Sequence, residues 1–137
     1  MRSFTVLGKP QGKGRPRASS RGKFVRMYTP KNTRDYEQTI RESYLEAYES
    51  SKPLEGYIKA YLILYYPIPK STSKANKAKM LDKTLLPDKK PDIDNCIKGV
   101  FDSLNGIAFV DDKQIVKLVA EKYYSENPRI YCELSEI

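Results

Sequence analysis

Hydrophobic and polar positions alternate with a period of two at the start of the chain. Phe4 and Val6 face one way and Ser3 and Thr5 the other, so Arg2 to Leu7 is predicted as a strand ending at Gly8. The period then lengthens. Tyr36, Ile40, Tyr44 and Ala47 recur at helical spacing, which predicts a helix running to about Tyr48, with Asn32 and Thr33 as caps and Asp35 and Glu37 in its first turn. Ser51-Lys52-Pro53 breaks it. From Gly56 a strand follows in which Ile58, Ala60, Leu62, Leu64 and Tyr66 share one face, and Pro67 and Pro69 end it. Its other face carries Tyr57, Tyr61, Ile63 and Tyr65, which are expected to pack beneath a helix in preference to stacking on bases.

Ile93, Ile97, Val100, Phe101 and Leu104 form a second helical stripe after Pro91. Ile115 to Tyr124 and Arg129 to Ser135 read as strands joined by a turn at Ser125-Glu126-Asn127-Pro128. Two segments lack such periodicity. Residues 9–32, rich in Gly, Pro and Ser, are expected to form a long mobile loop. Residues 70–90 begin with Ser71, Thr72 and Ser73 as possible caps for a short polar helix around Lys74 to Leu81, with few apolar residues to hold it down. The resulting order, β-α-β-α-α-β-β, predicts a single α+β domain with a small mixed β-sheet of about four strands flanked by helices.

A chain of 137 residues is the size of one domain. Its longest apolar-rich stretch, Ile58 to Pro67, is too short to cross a bilayer, and the N-terminus lacks the pattern of a secretory signal, so a cytoplasmic protein without membrane partners is expected. Two widely spaced cysteines, Cys96 and Cys132, are expected as buried, reduced thiols. There is no histidine. Imidazole bases, His-containing triads and HExxH zinc sites are therefore excluded, which leaves carboxylates and lysines for any catalysis.

The net charge of +8 is unevenly distributed. The first 32 residues contain nine Lys and Arg and no Asp or Glu, and 70–90 form a second basic segment. Lys9, Lys13, Arg15, Arg17, Arg21, Lys23 and Arg26, together with Lys89 and Lys90, are expected to grip a polyanion such as DNA. Against this background the segment KPDIDNCIKGVFDSLNGIAFVDDKQI concentrates acid. Asp92 and Asp94 stand at the mouth of the predicted helix, and Asp111 and Asp112 lie just beyond its end. A hard cation such as Mg²⁺ takes a few carboxylates plus water and phosphate oxygens, which Asp92, Asp94 and one of Asp111 and Asp112 can supply if the chain folds back after Gly106. Lys98 then lies beside the metal, placed to neutralise charge on a scissile phosphate. Each feature also has an ordinary reading: a helix cap at Asp92, an i,i+4 pair of about 0.2–0.5 kcal/mol between Asp94 and Lys98, and a polar turn at Asp111 to Lys113.

The string D-x-D-N-x-x-K-x-x-x-D-x-L followed by D-D, at Asp92, Asp94, Asn95, Lys98, Asp102, Leu104, Asp111 and Asp112, resembles the RusA-type Holliday junction resolvases, phage-encoded members included. The likeness extends to the order of strand, basic loop, helix and strand upstream and to the two closing strands. It implies a homodimeric, Mg²⁺-dependent endodeoxyribonuclease, with Mn²⁺ as a substitute and no small-molecule cofactor, acting on four-way DNA junctions in recombination and repair. By position it gives Asp92, Asp94 and Asp112 the metal and Lys98 the role of essential lysine, with Asp111 as a further ligand. Two alternatives stay open. Pro91-Asp92 with Asp111-x-Lys113 satisfies the looser PD-(D/E)xK pattern of restriction-type nucleases, although a helix separates the halves. The chain also suits a non-catalytic DNA-binding or regulatory protein whose aspartates are caps.

Overall fold

A computed structural model describes residues 1–14 and 31–137 throughout and, between them, the backbone of 17–21 and 24–28. The strands are β1 (Arg2–Leu7), β2 (Arg17–Arg21), β3 (Phe24–Tyr28), β4 (Ile58–Pro67), β5 (Ile115–Ser125) and β6 (Arg129–Glu136), and the helices are α1 (Lys31–Tyr48), α2 (Lys74–Leu81) and α3 (Ile93–Leu104). Four strands form one mixed sheet in the order β1-β6-β4-β5, with β4 and β5 parallel and the other neighbours antiparallel. The predicted α+β architecture is present. One connection differs from a simple hairpin, since β5 and β6, a turn apart in sequence, lie on either side of β4.

Alternation in β4 produces the core. Ile58, Ala60, Leu62 and Leu64 are fully buried and meet Phe4 and Val6 of β1, Ile130, Cys132 and Leu134 of β6, Tyr36, Ile40 and Tyr44 of α1, and Cys96, Val100 and Leu104 of α3 in one cluster. Burying each large side chain is worth about 1.5–3 kcal/mol, so this shared face fixes α1 and α3 on the same side of the sheet. The opposite face of β4 corrects the expectation. Tyr61, Ile63 and Tyr65 are half-exposed and exchange contacts with neighbouring strands: Tyr61 Oη donates to Glu121 at 3.0 Å, and the Arg129 guanidinium lies 3.8 Å over the Tyr65 ring. Tyr57 is exposed.

Three local expectations also change. Residues 9–32 contain paired strands, β2 against β3, instead of loop throughout. Helix α1 begins at Lys31, so Asn32 and Thr33 lie inside it, and Tyr48 packs against the core where Ala47 was expected. Helix α2 has its cap at Ser73, whose hydroxyl accepts the Asn76 N–H. Met80 is its one buried residue, and Lys77 pairs with Glu126 at 2.6 Å, so it is a solvated helix held at one end. Both cysteines are buried and free. No described helix is long and apolar enough to cross a membrane.

Candidate active site

Helix α3 presents its first carboxylates without consuming them. Asp92 occupies the cap position with extended backbone, and its carbonyl accepts the Cys96 N–H at 3.1 Å, yet its side chain makes no capping bond. Asp94 follows in the first turn, where the positive end of the helix dipole favours both acids. Both side chains are exposed and open into a cleft of about 830 Å³ whose walls include Lys9, Gln11, Gly12 and Lys90. The cap reading of Asp92 thus fails, and so does the helical ion pair: among the described residues neither Asp94 nor Lys98 forms a salt bridge. Lys98 is exposed on α3.

The far wall of the cleft is the chain just after β1, laid across α3. The Lys13 N–H donates to the Asn95 carbonyl at 3.3 Å and the Gly14 N–H to Thr33 Oγ1 at 3.0 Å. Gly12 permits the approach, because a Cβ there would run into Asn95 Nδ2 and stand 3.2 Å from Pro91 Cβ. Lys13 Nζ reaches Asp102 at 2.5 Å and Glu37 at 3.5 Å. Burial alone would lower this ammonium, but Asp102 and Glu37 outweigh it and hold its pKa above the ordinary lysine value. Lys13, expected to contact phosphate, is therefore engaged in tying this segment to α1 and α3. Lys9, Lys89 and Lys90 are exposed. The side chains of Arg15, Arg17, Arg21, Lys23 and Arg26 lie outside the described residues.

The chain does fold back after Gly106, whose φ of +77° suits glycine and whose N–H bonds the Phe109 carbonyl at 2.8 Å. Phe109 is fully buried and meets Phe101 edge-on, which brings the second acidic pair against α3. There the two acids part roles. Asp111 caps a 3-10 turn at Asp112–Gln114: its Oδ1 accepts the Lys113 N–H at 2.9 Å, and Gln114 Oε1 accepts the Asp111 N–H in return. That hydrogen bond lowers the Asp111 pKa. Asp112 gives its N–H to Asn105 Oδ1 at 2.9 Å and keeps its carboxylate out of the cap. Burial first, then Asp111 and Asp102, raise its pKa.

Oxygen-only donors, free of capping duty at Asp92, Asp94 and Asp112, have the chemistry a hard divalent cation prefers. Their placement fits it in part. Asp92 and Asp94 share one cleft, whereas Asp112 borders a separate groove with Ile97 and Phe101. Among the described residues no three acidic or sulfur ligands gather closely enough to hold a metal ion, so the expected three-aspartate shell is not closed. Cys96 adds nothing to it, since burial pushes its thiol up to about 11.

With the carboxylates and the cleft placed, the comparisons decide the lineage. The family described as Endodeoxyribonuclease RusA matches residues 8–135. The chain belongs to the RusA endodeoxyribonuclease family. It is also 38% identical over 136 residues to the Bacillus subtilis (strain 168) protein named "Uncharacterized protein YqaN", covering 98% of this chain and 95% of that relative. In this RusA-family chain the motif's Asn95 and Asp102 seat the segment before the basic hairpin, a use not visible in the string itself. Sequence reasoning also missed Asn105, Gln114, Tyr66 and Lys122, which shape the turns carrying the acids. Lys122, in phase with the buried Tyr124 but also with the exposed Leu118, left no distinguishing local signal.

Proposed function

We propose that this RusA-family chain is a Mg²⁺-dependent endodeoxyribonuclease that resolves four-way DNA junctions as a homodimer, in recombination and repair, with Mn²⁺ able to substitute. The observation that carries the reading is the pair Asp92 and Asp94 at the head of α3, uncapped and exposed in a cleft walled by Lys9 and Lys90. A carboxylate pair that only ended a helix would be satisfied by backbone N–H groups, and Asp92 is not. Lysines on the rim draw a phosphodiester towards carboxylates that would otherwise repel it.

Asp92, Asp94 and Asp112 are the residues that would hold Mg²⁺, the first two from one cleft and the third from the neighbouring groove. When bound, it supplies the charge that acidifies the attacking water and steadies the leaving oxygen. Lys9 and Lys90 bind flanking phosphates, and Lys98 balances charge growing on the scissile phosphate. Water adds to phosphorus as the bond to the 3′ oxygen breaks, leaving 3′-hydroxyl and 5′-phosphate ends.

The test is cleavage of a mobile synthetic four-way junction with Mg²⁺ and with chelator, for the natural chain and for Asp94→Asn. The substitution removes charge while keeping shape, so cleavage should fall by orders of magnitude with junction binding retained or tightened. Junction binding without metal-dependent cutting by the natural chain would instead identify a DNA-binding protein.

A further inference from the structure

Strand β5 carries a half-buried lysine on the face it shares with the core side of β4. Lys122 pairs with Leu64 of β4 and so points to the same side as that fully buried leucine. Its ammonium lies 4.7 Å from the centroid of the Tyr66 ring and donates to the Lys89 carbonyl at 2.9 Å. Tyr66, 2% exposed, donates its hydroxyl to the Pro91 carbonyl. One strand further, the Lys89 ammonium lies 5.3 Å over the Tyr124 ring. Two adjacent inward positions, on β4 and β5, thus grip two of the three residues that lead directly into Asp92.

Packing alone does not account for this choice. The ring contact and the hydrogen bond each contribute modestly, as methionine packed on Tyr66 would, but only the ammonium reaches the Lys89 carbonyl. What an ammonium and a phenol supply together is direction: two hydrogen bonds of fixed geometry on carbonyls spaced two residues apart. The outer partners of metal-binding side chains act in this way, by orienting the ligands.

We infer that Lys122, together with Tyr66, is a positioning residue that clamps the Lys89–Pro91 segment and thereby sets where Asp92 and Asp94 stand in the cleft. The inference rests on the reading of those aspartates as metal carboxylates. It is tested by titrating Mn²⁺ into the natural chain and into Lys122→Met, Lys122→Arg and Tyr66→Phe, with thermal midpoints and amide hydrogen exchange over residues 88–96 measured alongside. Lys122→Met and Tyr66→Phe should each weaken Mn²⁺ binding roughly 10-fold or more. Lys122→Arg should bind close to the natural chain, and exchange should quicken over 88–96 in the first two variants while β6 stays protected. The Lys122→Met midpoint should fall by only a few degrees, so that the lost Mn²⁺ affinity is separated from general unfolding. Natural Mn²⁺ affinity and natural exchange in Lys122→Met would overturn the inference. If the natural chain takes up no Mn²⁺, the metal reading falls, and the exchange comparison alone decides the clamp: faster exchange confined to 88–96 upholds it and unchanged exchange rejects it.

Discussion

Asp111 and Asp112 are neighbours with the same side chain, and the fold gives them different work. Asp111 spends its carboxylate on the Lys113 N–H, whereas Asp112, held through its own N–H by Asn105, keeps its carboxylate out of the cap and against that of Asp111. Asp112→Asn should therefore depress junction cleavage by orders of magnitude, while Asp111→Asn, which keeps an oxygen to accept the same N–H, should retain most of it. Single-turnover cleavage rates of the two variants check this, and equal losses would return Asp111 to the metal site. At Lys13 the consequence is for stability. Its pKa is raised above the ordinary 10.5, so the Asp102 and Glu37 contacts contribute fully below that value and are lost as pH rises through the folded value above it. Lys13→Met should cost about 1 kcal/mol, the upper end for an ion pair that solvent still reaches. In thermal melts the gap between natural and variant chains should hold steady at neutral pH and shrink above pH 10.5.

Helix α3 is the element on which every part of the site converges. Its inner face, with Cys96, Val100 and Leu104 fully buried, is fixed by the core, so its head and its exposed flank are presented rigidly. The segment before the basic hairpin is then seated on that flank by close approach at Gly12. Gly12→Ala should push Asn95 aside, loosen this seat and lower the thermal midpoint. The methyl group's main obstacle is the end of the Asn95 side chain, so most of the loss should disappear in an Asn95→Ala background. A double-mutant cycle on thermal midpoints measures that coupling, and strict additivity would show that the two residues do not meet.

The prediction for the whole molecule concerns symmetry. A four-way junction presents two equivalent strands about a two-fold axis, and a chain of 137 residues carries one Asp92 and Asp94 pair. Paired incision accordingly requires two chains in a closed two-fold arrangement. We expect a dimer by sedimentation at working concentration, symmetric nicks on opposing strands in strand-resolved mapping, and poor cutting of the matching linear duplex. A monomer that cuts junction and duplex equally would remove junction resolution and leave a less selective nuclease.

The sequence by itself determined the four strands of the main sheet and the three helices, because burial imposes a period of two on β4 and a helical period on α3. It also determined the inventory of chemistry: no histidine, carboxylates grouped around one helix, and cations to either side. It could not determine pairing. Which strands adjoin is settled by contacts between residues far apart in the chain, so β6 between β1 and β4, and the β2–β3 pairing within an apparent loop, emerged only from the tertiary structure. The same reason separates the roles of like residues. Whether Asp92 is a cap or a free carboxylate, whether Lys13 faces Asp102 or solvent, and why Lys122 points inward each depend on what another segment brings within hydrogen-bonding distance, and local pattern carries no record of that neighbour.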